Sequence, residues 1–210
     1  MTRTRRSMVA QIIQLLVAAI VGAVVIVILA PRMTRTGPLL NSVDVGFAQD
    51  MSTHHQQAVI MSDMVSADAS PDIRALASQI RFIQLREIGQ MTGWLQLADV
   101  PLISPYPMAW MMTGADHHMA MPKMAMPGMA SPADLTRLQH ATGRDNEVLF
   151  LQLMSRHHQG GIDMAAYAIQ HTTTIAVRQT AAAMVDEQTQ ELILMSALLK
   201  DRGQAPLAYP

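Results

Sequence analysis

The chain has 210 residues, half of them apolar but only 4% aromatic, with 19 Met, 8 His and no Cys. Its formal charge is −1 and its only lysines are Lys123 and Lys200, so no basic patch is present to neutralise a phosphate backbone, which excludes nucleic-acid binding. Without cysteine there is no disulfide framework, zinc–thiolate site or thiol nucleophile, and a soft-metal ligand has to be methionine.

From Met8 to Ala30 the sequence runs 23 residues without a charge, which suits the roughly 20 needed to span a bilayer. Arg3, Arg5 and Arg6 precede it, so the positive-inside tendency keeps residues 1–7 cytoplasmic and sends the remainder outside, against a weaker opposing bias from Arg32 and Arg35. Ile28 is bulky where a signal-peptide cleavage site wants a small residue, so residues 8–30 are expected to stay as an anchor, followed by a linker over 31–42.

Sliding the sequence against itself by 103 residues lays Asp50–Met61 onto Leu153–Met164, matching Met51, Ser52, His54, His55, Gln56 and Met61 with identical partners. A shift of 104 then aligns Arg74, Ala77, Gln84, Glu87, Met91 and Leu95 with Arg178, Ala181, Gln188, Glu191, Met195 and Leu199. This is an internal repeat of a helix pair. The first copy (residues 43–99) predicts helices over 43–67 and 72–99, joined by a turn at Ala69-Ser70-Pro71, with Pro71 suited to a first helical turn. Residues 100–131 form a Pro-rich crossover expected to be irregular, holding eight Met between Met108 and Met129. A short helix over 132–141 leads into the second copy, whose helices are predicted over 145–171 and 174–202 and end at Gly203 and Pro206; residues 132–203 form this unit and 204–210 a tail. Phe47, Met51, Ala58, Met61 and Val65 recur at three- and four-residue steps, one apolar stripe per helix. The stripes of two hairpins bury each other only in an all-α, four-helix bundle.

On a helix, Met51 lies one turn before His54 and His55, and Met154 one turn before His157 and His158. Adjacent His diverge by about 100°, which predicts one imidazole facing the bundle and the other its rim. Small Ala58 and Gly161 leave space four residues on, and the Gly160-Gly161 pair, unfavourable in mid-helix by about 1 kcal/mol each, calls for close packing there. Gln84, Glu87 and Met91, repeated as Gln188, Glu191 and Met195, share one face, where Glu can orient an imidazole that binds metal. The same residues equally suit a hydrogen-bond network that only fixes register. In the crossover, His117, His118, Met119, Met121, Met124, Met126 and Met129 combine thioether and imidazole, the donors that select Cu(I). Met61 and Met164 complete the candidate ligands on the hairpins. Since imidazole binds metal only when neutral, binding at the His pairs is expected to weaken below about pH 6.5, making it separable from acid-tolerant thioether binding in the crossover.

Taken together, Glu147, Phe150-Leu151, Met154, His157-His158-Gln159-Gly160 and Met164 resemble the hallmark of the bacterial family filed as domain of unknown function number 305. The first copy keeps Asp44, Phe47, Met51, His54-His55-Gln56 and Met61; Gln84, Glu87, Met91, Trp94-Leu95 and Met126-Pro127-Gly128-Met129 also fit, while Gln57, Gly161, Ser52 and Ser155 depart. The resemblance implies a ferritin-like helical bundle and copper binding outside the cytoplasm through Met and His. The leading expectation is therefore a membrane-anchored copper-binding protein that sequesters Cu(I) or passes it to a donor or acceptor protein, and is not an enzyme. A di-iron oxidoreductase would need Glu-x-x-His pairs, and no His here has Glu three residues before it. The alternative is a structural or adaptor membrane protein whose His, Glu and Met repeats specify packing.

Overall fold

The computed structural model of the protein describes residues 39–112 and 125–209. The expected anchor at 8–30 and the ligands His117, His118, Met119, Met121 and Met124 lie outside the described residues; among those described, no helix is long and apolar enough to cross a membrane.

The described residues form five α-helices and no strand: α1 Ser42–Asp63, α2 Pro71–Leu97, α3 Pro132–His140, α4 Gly143–His171 and α5 Ile175–Asp201, with a 3₁₀ turn at Ala109–Met111 in the crossover. The starts are written locally. Asn41 caps α1 by accepting from Asp44 N at 2.8 Å while the Asp44 carboxylate accepts from Asn41 N at 3.0 Å, and Ser131 and Asp134 repeat that box at α3. Pro71 opens α2. The end of α5 is closed by Gly203 in the left-handed region (φ 66°), with Gln204 N bonded back to Leu199 O at 2.9 Å. By contrast, α1 ends at Asp63 rather than Ala67, because Asn146 of α4 takes over the backbone: its Oδ1 accepts from Ser66 N at 2.8 Å and its Nδ2 donates to Met64 O at 3.0 Å.

α2 packs on α1, α5 packs on α4, and the two hairpins meet through α1 and α4. Pairings at each end show that α1 and α4 run antiparallel: Asn146 meets the end of α1, and Asp44, at its start, binds the hydroxyls of Thr172 and Thr174 after α4. Glu147 plays the matching part at the other end, accepting from Ser70 N and from Arg202, each at 2.6 Å. An approximate twofold axis thus relates the hairpins.

Two separate apolar clusters follow from that symmetry. One gathers Phe47, Met51, Met91, Leu95, Met164, Val177, Ala181 and Met184; the other gathers the repeat-related Phe150, Met154, Met195, Leu199, Met61, Ile73, Ala77 and Ile80. Along every long helix, the polar positions His54-His55, Gln84 and Glu87, His157-His158, or Gln188 and Glu191 fall between the two clusters. The bundle is therefore two apolar halves separated by a buried polar belt.

Candidate metal centre

His54, His55, His157 and His158 lie in the belt and are at most 1% exposed. The expectation that one of each pair faces the rim is corrected: both imidazoles are interior, because α1 and α4 are covered on one side by their hairpin partners and on the other by the crossover. His54 and His157 stack, ring centroids 3.7 Å apart and 28° from parallel. His54 Nε2 donates to Pro127 O of the crossover and His157 Nε2 to His54 O, each at 3.0 Å. His55 Nε2 lies 2.8 Å from Glu87 Oε2, and His158 Nε2 lies 2.6 Å from Glu191 Oε2. The matched Glu thus orient imidazoles on the preceding helix of their own hairpin.

These bonds define the ring chemistry. A carbonyl only accepts, so Nε2 of His54 and His157 carries the proton and Nδ1 holds a lone pair. The Nδ1 atoms of all four His are buried and unpartnered. Burial, reinforced by the neighbouring His55, pushes His54 down to about 3; burial and then His158 push His55 down to about 3; burial and then His54 hold His157 well below the usual imidazole range. Burial raises Glu87 to about 7, opposed by Arg86. At neutral pH His54 and His157 therefore each present a neutral ring with a bare Nδ1, the form that binds a metal. For His54, His55 and His157 burial acts in the direction that keeps the ring neutral below the ordinary imidazole value.

Among the described residues, no three side chains of the His, Asp and Glu types converge to hold an ion. Sulfur is the remaining donor, and Met51, Met61, Met91, Met154, Met164 and Met195 are all fully buried beside the belt. Gln84 and Gln188 also line it, each with a buried amide atom unpartnered. Met126 and Met129 are half-buried at a cleft of about 290 Å³ shared with Gly128 and Arg156. A larger open cleft of about 640 Å³, around Arg137, His140 and Arg144, holds none of the predicted ligands.

The crossover is fastened to one face of α1. Asp50 accepts from Met108 N at 2.6 Å and from Trp110 Nε1 at 2.9 Å, with the Trp110 ring over Gly46, where a Cβ would come within 2.5 Å. Gln57 brackets Ala130, donating to its carbonyl at 3.0 Å and accepting from its N–H at 2.7 Å. Gly160 admits the returning chain, since a Cβ there would sit 2.1 Å from Pro127 O, and Gly161 admits Gln188 in the same way at 2.5 Å. Asp50, Gln57 and Trp110 were not among the predicted site residues. Their signal lies in the alignment of the copies: Asp50 stands where the second copy has Leu153, Gly46 where it has Leu149, and Gln57 where it has Gly160.

No curated protein matches the chain. The crystal structure of a DUF305 protein from Streptomyces coelicolor, described as a candidate secreted protein, is similar at 39% identity over 80% of this chain and 97% of that one, with a TM-score of 0.71. A DUF305 fragment from Deinococcus radiodurans is similar at 26% identity over 77% and 98% of the two chains, TM-score 0.63. CopM in its Cu(II)-bound form is similar at 26% identity over 75% and 96%, TM-score 0.55; CopM has also been crystallised with Cu(I) and with Ag. The profile of the family described as "Domain of unknown function (DUF305)" matches residues 44–199, so the chain belongs to the DUF305 family.

Proposed function

We propose that this protein binds copper, as Cu(I), outside the cytoplasm, holding it or handing it to another protein, with residues 8–30 as its membrane anchor. The observation that carries the reading is the belt: four buried imidazoles with unpartnered Nδ1 atoms, flanked by six fully buried thioethers. Neutral nitrogen and thioether sulfur suit a soft monovalent cation, whereas hard cations want oxygen. CopM, a relative seen with copper, supports the metal; the relative from Streptomyces coelicolor and the Arg-flanked apolar segment support the location. We read the protein as a carrier or store and not as an enzyme.

Anaerobic titration of the full-length chain with Cu(I) against a competing chelator tests the binding. Replacing His54 and His157 by Leu removes two nitrogens without leaving a cavity, and is expected to lower affinity about 10–100-fold while circular dichroism reports an intact helical fold. Unchanged affinity in a folded variant would return the belt to a purely structural role. For the location, an enzyme reporter at the C-terminus should be active only if exported; its protection in intact spheroplasts would overturn the topology.

A further inference from the structure

The two apolar halves are related by the repeat, yet they differ in sulfur. Each buries three matching thioethers, Met51, Met91 and Met164 in one, Met154, Met195 and Met61 in the other. In the second half the Ser155 hydroxyl donates to Met195 Sδ at 3.7 Å, whereas the corresponding Ser52 hydroxyl turns away to Ala48 O at 2.6 Å, leaving Met91 without that partner. The second half is closed by Leu135 and Leu138 of α3 and meets the surface through one half-buried thioether, Met64. The first is closed by the crossover, which packs half-buried Met111 and Met126 against the same cluster, and it has Met184 where the second has Ile80. It also contains Asp50, a buried acid in the place of Leu153. Leucine would fill these positions equally well as packing, so the excess of thioether over aliphatic side chain on one side only asks for a different reason.

We propose that the halves are inequivalent toward a soft monovalent cation: the ion enters at Met111 and Met126, comes to rest among Met51, Met91 and Met164 beside His54 and His55, and the α3 half takes none. This rests on the copper reading and adds which of two repeat-related positions is used. Neutral sulfurs leading from the half-buried edge to the interior give the ion donors at each stage of its desolvation. Met111 and Met126 of the crossover share a cluster with Met51 of α1, which joins the entry to the resting place.

The full-length chain in detergent micelles, labelled with ¹³C at the methionine methyls and assigned through single Met→Leu variants, can be titrated with Ag(I), a soft closed-shell probe. The first equivalent is expected to move Met51, Met91 and Met126 and to leave Met61, Met154 and Met195 in place. Movement of the latter three first, equal movement in both halves, or movement confined to Met119, Met121 and Met124 would overturn the assignment while leaving the copper reading intact. No retained Ag(I) would overturn both. As a second measure, Met111→Leu/Met126→Leu should weaken Ag(I) binding about 10–100-fold, whereas Met64→Leu should not change it; the reverse ranking sinks the proposal. These changes conserve volume, and circular dichroism checks that the variants fold.

Discussion

Around Ile73, Phe150 and Leu199 the bundle is closed by a helix bearing leucine, while around the matching Val177, Phe47 and Leu95 it is closed by Met108, Trp110 and Met111 of an irregular segment. The walls repeat and the lids do not. Wall positions are fully buried in both copies, and both copies carry Phe, Met and Leu at the same places. The lids come from the single-copy crossover and α3, which the approximate symmetry does not constrain, and there the two halves acquire different chemistry.

The largest test of this contrast removes the paired aromatics. Phe47→Ala and Phe150→Ala should each destabilise by about 3–5 kcal/mol. Phe47 should cost about 0.5–1.5 kcal/mol more, because its ring meets Trp110 edge-on at 5.8 Å. Urea unfolding measures both; equal losses would mean that the crossover contributes nothing to its half.

The belt between the halves sets the acid response. His54, His55 and His157 are held neutral in the fold, so below their unfolded value near 6.5 the unfolded chain takes up more protons, and stability is lost as pH falls from about 6.5 toward 3. Glu87 acts oppositely: raised to about 7, it takes its proton first in the fold, so its share of stability rises as pH falls from about 7 to 4.5. At about 1.4 kcal/mol per pH unit per fully protonated group, three against one gives a net loss that steepens from about 1 kcal/mol per unit at pH 6.5, where the unfolded imidazoles are half protonated, to about 3 near pH 5. Denaturation midpoints across that range check it, and a flat profile would mean that these imidazoles are not held neutral.

Smaller effects separate the crossover from the wall. Gly160→Ala drives a Cβ against the Pro127 backbone and should cost about 3 kcal/mol, more than the roughly 1 kcal/mol of helix propensity it gains, with faster proteolysis near residues 125–131. Gly161→Ala meets only the end of the Gln188 side chain, and Ala58 already occupies the matching place, so its melting temperature should stay within a few degrees of the parent. The smallest effect is expected at Arg81 and Asp63, 47% and 55% exposed, a pair that the second copy replaces with Val185 and Ala166. Arg81→Ala should change stability by about 0–1 kcal/mol; a larger loss would show that surface asymmetry matters as much as the lids.

Helix positions were legible because capping boxes, Pro71 and Gly203 act over a few residues, and the bundle was legible because a repeat states its own symmetry. The end of α1 was not, since Asn146 that stops it is 80 residues away from Ser66. The His pairs were visible, but their burial was not: a helical wheel shows two directions and cannot show that a hairpin partner lies along one and a crossover along the other. Asp50 and Gln57 were visible only as mismatches between copies, and a mismatch reads as drift until the chain it holds is in view.

The two fastenings of the crossover fix its ends on one helix, Met108 and Trp110 at Asp50 and Ala130 at Gln57, two turns apart. Both holds come from side chains of α1, so a change at Asp50 or at Gln57 frees one end of the described crossover while the other stays fastened.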